Sequence, residues 1–241
     1  LDEVVGLPTQ LVGNHRRLRT DSAYDCHAHA APLDRFDKAA EIGADYFVID
    51  AGWYAEIGET WWESVGAWQP SVTRFPFGFA DVIQRIRKKQ MIPGLWLEIE
   101  VIGINCPLAR ELPDDWFFLR DGKRVIDHGR YQLDFRNPEV RAHADQVVER
   151  LIREFGIGYL KIDYNINAGP GTDHASDAPG DGLLEHNRAY LDWVRGVFAA
   201  HPELGIENCS SGGRRMAKRI AGRASWISTR LTSSSGCLSG R

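Results

Sequence analysis

The sequence predicts an incomplete TIM-type (β/α)8 barrel, its first and last strands missing or altered. Three observations lead there. Apolar strand segments alternate with amphipathic helices through the middle of the chain, the pattern of parallel βα units. Each strand segment ends on a polar residue followed by a long loop, as barrel strands do at the face that carries active sites. No Gly-rich phosphate loop follows any strand, as an open doubly wound nucleotide-binding sheet would require. The length of 241 residues is close to that of one barrel domain.

In chain order, a helix near 34–43 leads into the strand Tyr46-Phe47-Val48-Ile49-Asp50, and a helix near 79–90 into Met91-Ile92-Pro93-Gly94-Leu95-Trp96-Leu97-Glu98. A helix near 138–155 precedes Gly158-Tyr159-Leu160-Lys161-Ile162-Asp163, and one near 182–200 precedes Leu204-Gly205-Ile206-Glu207-Asn208-Cys209. A last helix near 213–221 feeds a short strand at 225–228. Two stretches fit badly. Residues 11–31 hold His15, Arg16, Arg17 and Arg19 and then Cys26-His27-Ala28-His29 where a first strand is expected. Residues 208–241 contain no Asp or Glu although the chain has 33, and Ser233-Ser234-Ser235-Gly236 is of low complexity. The expected organisation is an irregular 1–32, a catalytic barrel at 33–222, and an altered tail at 223–241.

Composition excludes several classes. A net charge of −4 with no basic run interleaved with aromatics argues against nucleic acid. No apolar run approaches the roughly 20 residues of a membrane-spanning helix. The four cysteines are widely spaced and form no CxxC, which fits a reduced, cytoplasmic protein. The absent initiator Met reads as a fragment.

The chemistry sits at strand ends. In Lys161-Ile162-Asp163-Tyr164-Asn165, alternation points Lys161 and Asp163 the same way, and an ammonium favours the ionised carboxylate that a nucleophile needs. A structural ion pair at a strand end would show the same residues. Glu207-Asn208-Cys209-Ser210-Ser211-Gly212-Gly213 ends another strand in short hydrogen-bonding groups and in glycines that admit close approach of a ligand; a capped strand-to-helix turn would look alike. Asp50-Ala51-Gly52-Trp53 joins a carboxylate to an indole, and Trp96 offers a second ring, the pairing that holds sugar hydroxyls and sugar C–H faces. Tryptophans are commonly core residues, but here Trp53, Trp61, Trp62 and Trp68 follow one strand and Trp116, Phe117 and Phe118 follow the next.

Together these segments resemble the melibiase (α-galactosidase) family of barrel glycoside hydrolases, related to raffinose-acting enzymes. The specific pieces are Phe47–Trp53, Pro93–Glu98, Tyr131-Gln132-Leu133-Asp134, Leu160–Asn165 and Glu207–Gly213. The resemblance implies Asp163 as nucleophile of a retaining hydrolysis of terminal α-D-galactosides. It implies Lys161 and Asp50 as ligands of sugar hydroxyls, Trp96 as a pocket wall, and Cys209, Ser211 and Gly212 as pocket lining; Trp53 and Asn165 are further substrate-binding candidates. It implies an α-galactoside oligosaccharide as partner and no cofactor or metal, and it leaves a homo-oligomer open, along with α-N-acetylgalactosaminidase and galactosyltransferase activity.

The sequence departs from the family at two places. Ala51 stands where a second Asp is usual, which puts one sugar contact in doubt. The family's acid/base lies in a Ser-Asp-x-Thr-Asp motif; the corresponding stretch reads Ser225–Thr232, with Thr229 or Leu231 at the acid's place. A shifted reading frame at both ends would account for this and would leave the chain inactive as written, or a galactoside-binding fragment. The His27-Ala28-His29 pair also fits the first-strand ligands of a metal-dependent amidohydrolase, but the residues before it are polar and the remaining His residues lie in loops or helices.

Overall fold

The computed structural model describes the backbone of residues 17–20, 31–209 and 225–226, with side chains from 35 to 209. Within it, strands β1 (Arg17–Thr20), β2 (Tyr46–Ile49), β3 (Ile92–Leu97), β9 (Tyr159–Ile162), β10 (Gly205–Asn208) and β11 (Ser225–Trp226) form one six-stranded sheet in that order. Every pairing in it is parallel. Helices α1 (Ala31–Glu41), α3 (Phe79–Lys88), α5 (Pro138–Phe155) and α6 (Pro179–Ala200) connect successive strands, so the described part is an incomplete (β/α) barrel. Of the two alternatives for the first strand, missing or altered, β1 shows the second: residues 17–20 pair in register with β2. Its polar run has no strand pattern of its own, and the neighbouring strand supplies the ladder. The expected helix at 213–221 lies outside the described residues, as do Ser211, Gly212, His27, His29, Thr229 and Leu231.

Helix boundaries follow local chemistry. In α5 the Asn137 side chain accepts from the Glu139 amide, Pro138 takes the first turn, and Gly156 ends the helix at φ 59°. Its buried stripe Val140, Ala144, Val147, Val148 and Leu151 has helical spacing and faces the sheet core.

The register sorts strand residues onto two faces. Val48, Gly94, Tyr159 and Gly205 share one row, and Trp96, Lys161 and Glu207 share the next row on the same face. Phe47, Ile49, Leu95, Leu97, Leu160, Ile162 and Ile206 occupy the opposite face and join the helices in one buried cluster. The two glycines make room for one ring: a Cβ at Gly205 would meet Tyr159 Cδ2 at 2.7 Å, and one at Gly94 would meet Tyr159 Cβ and Val48 Cγ2 at 3.0 Å.

Between β3 and α5 the chain makes a sheet of its own rather than a plain loop. β4 (Val101–Gly103), β8 (Arg130–Gln132) and β7 (Ile126–Asp127) are antiparallel, beside a hairpin of β5 (Leu119–Arg120) and β6 (Lys123–Arg124). The hairpin turns at Asp121 and Gly122, both at positive φ (50° and 71°), as a two-residue turn of this twist demands. This excursion bends back over the ends of β3 and β9.

A groove of about 810 Å³ runs between α5 and α6, lined by Val148, Trp193, Gly196 and Val197 among others; it shares no residue with the strand-end cluster described next. Among the described residues no helix is long and apolar enough to cross a membrane.

Candidate active site

The interior rows of the sheet converge at their C-terminal ends on one carboxylate. Past the end of β9, the Asp163 amide still donates to Leu97 O at 2.7 Å, and past β10 the Cys209 amide donates to Ile162 O at 2.7 Å. Both side chains are therefore placed by extended ladder rather than by loop. Trp96 Nε1 donates to Asp163 Oδ2 at 3.1 Å, and the Tyr164 amide donates to Oδ1 at 2.9 Å. Lys161 Nζ lies 3.0 Å from Asp50 Oδ2 across the mouth, tying the ends of β2 and β9 together.

Burial alone would raise the Asp163 pKa. The Lys161 charge and hydrogen bonds from the Asn165 side chain, the Trp96 indole and the Tyr164 amide outweigh it and hold the carboxyl below its ordinary value. Cys209 moves the other way: burial and then the Asp163 charge push its thiol up to about 11. It remains S–H at neutral pH, and its hydrogen bond with Asp163 is donated. The site thus presents an ionised, 7%-exposed carboxylate at the end of a strand.

A second carboxyl stands close by. Glu98, two residues past Trp96 on the same face, accepts from Arg130 Nη1 at 2.6 Å and from the Asn165 amide. Burial outweighs the Arg130 charge and pushes Glu98 up to about 7, with the Asp163 charge adding to the rise. Arg130, delivered by β8 of the excursion, also lies over the Trp62 ring at 4.0 Å. Trp62 stacks on Trp61 at 3.6 Å, and Trp61 meets Trp96 edge-on at 5.6 Å. Contacts therefore run in a closed ring from Asp163 through Trp96, Trp61, Trp62, Arg130, Glu98 and Asn165 back to Asp163.

The sequence-predicted residues Asp50, Trp96, Lys161, Asp163, Asn165 and Cys209 come together here; Ser211 and Gly212 fall outside the described residues. Trp53 needs correcting. It is fully buried behind Trp96, stacked on Phe79 at 5.6 Å, and donates its indole N–H to Trp96 O at 2.9 Å. It braces the pocket wall rather than offering a face to a sugar. Trp68, Phe117 and Phe118 are likewise core, at 1% exposure or less; only Trp61, Trp62 and Trp116 of the aromatic-rich loops are partly exposed. Sequence reasoning missed Glu98 and Arg130 as members of the site. The parity of Glu98 with Trp96 could have shown the first, whereas nothing local marks Arg130, which arrives through a tertiary fold-back.

Among the described residues no group of three or more His, Cys, Asp or Glu side chains could hold a metal ion.

Comparison with known proteins places this geometry in context. The Melibiase family profile matches residues 22–230. The alpha-galactosidase of Escherichia coli is 28% identical over 220 residues, covering 89% of this chain and 30% of that protein. Alpha-galactosidase 2 of Pediococcus pentosaceus is 30% identical over 183 residues, covering 74% and 25%. The solved galactosidase domain of alpha-galactosidase-sucrose kinase superposes with a TM-score of 0.62 at 26% identity, covering 75% of this chain and 24% of that one. The alpha-galactosidase of Thermus thermophilus in complex with p-nitrophenyl α-D-galactopyranoside gives 0.58 at 28% identity, covering 83% and 39%. The chain spans 19–30% of the length of these and similar curated relatives.

Proposed function

Because the chain belongs to the Melibiase family, we propose that its strand-end pocket binds the terminal α-D-galactosyl residue of an oligosaccharide and that Asp163 is the nucleophile of a retaining hydrolysis. The single observation that carries the reading is the Asp163 carboxylate, held ionised by Trp96, Asn165 and Lys161 at the end of β9. Related structures contain stachyose and raffinose, which makes galactosides of that type the first substrates to try.

In the first step an Asp163 oxygen bonds to the anomeric carbon as the glycosidic C–O bond breaks, and the leaving oxygen takes a proton from a general acid. Water then adds to the same carbon, gives its proton to that residue's conjugate base, and releases Asp163. Asp50 and Lys161, paired across the mouth, hold sugar hydroxyls, Trp96 walls one side, and Cys209 and Asn165 keep the nucleophile aimed.

Glu98 is unsuited to be the acid: both its oxygens are engaged, by Arg130 and the Asn165 amide, and it is fully buried. The stretch that the resemblance assigns to the acid, Ser225–Thr232, holds no carboxyl group, and we infer a shifted reading frame there, which translation of the gene in its other two frames tests.

The test is hydrolysis of p-nitrophenyl α-galactoside by the intact protein, with trapping of Asp163 by a fluorinated galactosyl fluoride. A mass increment on the Asp163 peptide supports the nucleophile. Galactose binding without adduct or turnover favours a binding fragment, as loss of the acid would leave it. Neither binding nor adduct overturns the reading.

A further inference from the structure

Glu98 and Arg130 form an ion pair at 2.6 Å with side chains 0% and 1% exposed. Pairs buried so deeply contribute little net stability, because the desolvation of both ions offsets their attraction. What this pair holds supplies another reason for it. The second Glu98 oxygen accepts from the Asn165 amide, and Arg130 Nη2 donates to Asn165 O at 3.4 Å. One backbone residue is thus gripped at its N–H and at its C=O by two side chains that also grip each other.

The grip continues the sheet. Bonds in a parallel ladder are evenly spaced, so after the Asp163 amide to Leu97 O the next rung would join the Asn165 amide to Ile99 O. β3 ends before it. The chain turns off there into the excursion, with the Val101 amide donating to Glu98 O at 3.3 Å. The Glu98 carboxylate stands in for the missing carbonyl. Asp163 therefore lies between two pinned amides, its own and that of Asn165. Its two oxygens receive the Tyr164 amide and the Trp96 indole from the same frame, and the Asn165 side chain bonds to it as well.

We infer that Glu98 is a positioning residue for the nucleophile: it extends the β3–β9 ladder by one side-chain rung and, with Arg130, fixes the backbone that aims Asp163. The inference rests on the galactosyl reading above and goes beyond it. The rung requires reach and an acceptor oxygen at residue 98; charge alone does not supply it.

Two variants separate reach from charge. Glu98→Gln keeps the length and an acceptor for the Asn165 amide but loses the charge. Glu98→Asp keeps the charge beside Arg130 and falls one methylene short. The readout is the adduct formed on Asp163 by a fluorinated galactosyl fluoride, in which an Asp163 oxygen bonds to the anomeric carbon as fluoride leaves without a proton. Glu98→Asp should lower the maximal rate of adduct formation per folded molecule by about 10²-fold, the cost of a misplacement of about 1 Å, and Glu98→Gln by about tenfold or less. The concentration giving half the maximal rate should stay that of the parent in both. Deuterium labelling of the Asn165 amide needs no reaction: it should be slow in the parent and in Glu98→Gln, and fast in Glu98→Asp. Adduct rates equal to the parent's in both variants, a larger loss in Glu98→Gln than in Glu98→Asp, or a parent Asn165 amide that labels as fast as the hairpin tip would each overturn the positioning role. A parent protein that forms no adduct overturns the galactosyl reading itself, and the labelling order of the Asn165 amide then still decides whether the rung exists.

Discussion

Two buried ionic clusters lie close together in this molecule and are built on opposite plans. Under the excursion, Phe135 N donates to His186 Nδ1 at 3.0 Å, so Nδ1 carries the lone pair and Nε2–H points to Glu100 Oε2 at 2.9 Å. Alongside, Arg136 grips both oxygens of Asp134, Oδ1 at 3.0 Å and Oδ2 at 2.6 Å, and donates onward to the carbonyls of His174 and Ala175. The guanidinium meets its neighbouring carboxylate directly, while the neutral His186 ring and the Arg136 bonds to carbonyls staple distant segments together. At the strand ends the Lys161 ammonium makes its 3.0 Å contact with Asp50, while Asp163 receives an indole, an amide and a thiol. The lysine acts on Asp163 through space. A carboxylate kept ionised by an ammonium acting at a distance and touched only by neutral donors stays free to form a bond; one clamped by a guanidinium does not. Burial of charge alone therefore separates nothing, and the kind of donor does.

The sharpest way to break this contrast is to remove one member of each cluster. Asp163→Asn should lower turnover of an aryl galactoside by about 10⁴-fold or more while leaving Tm near the parent's, read by steady-state kinetics and calorimetry. His186→Leu should do the reverse. It strands Glu100 and should cost about 3 kcal/mol in denaturant unfolding, with activity per folded molecule kept. Loss of activity with intact stability in His186→Leu would erase the distinction.

Two smaller effects refine it. Lys161→Met removes the largest influence that lowers the Asp163 pKa, so the acid limb of the kcat/KM profile should move to higher pH. Glu98 is the intermediate case, a site member by position but saturated like the staple. Its folded pKa of about 7 lies above the ordinary 4.5, so the folded state holds the proton more tightly. The stability this contributes is complete below about pH 4.5 and is lost as pH rises through about 7. Glu98→Gln should flatten that part of the pH dependence of Tm.

Much of this was legible in the sequence, for physical reasons. The helices and strands between 31 and 209 are marked by amphipathic period, by the Asn137–Pro138 start and Gly156 stop of α5, and by polar residues at strand ends. Alternation alone places Lys161 with Asp163 and, extended by register, Asp50 with Trp96. What stayed hidden depends on contacts remote in sequence. Arg130 reaches Glu98 across 32 positions only because β8 folds back. Trp53 looks like a sugar platform until Phe79 is seen stacked on it. The hairpin at Asp121–Gly122 carries a local turn signal but no indication of what it covers.

The amide ladder that runs on past β9 and β10 has a dynamic consequence. The N–H groups of Asp163 and Cys209, bonded to Leu97 O and Ile162 O, belong to the parallel sheet and open only with it. In deuterium labelling they should be among the slowest amides to exchange, while the exposed tip of the hairpin labels early. Loops around the mouth can then rearrange without carrying the Asp163 carboxylate with them.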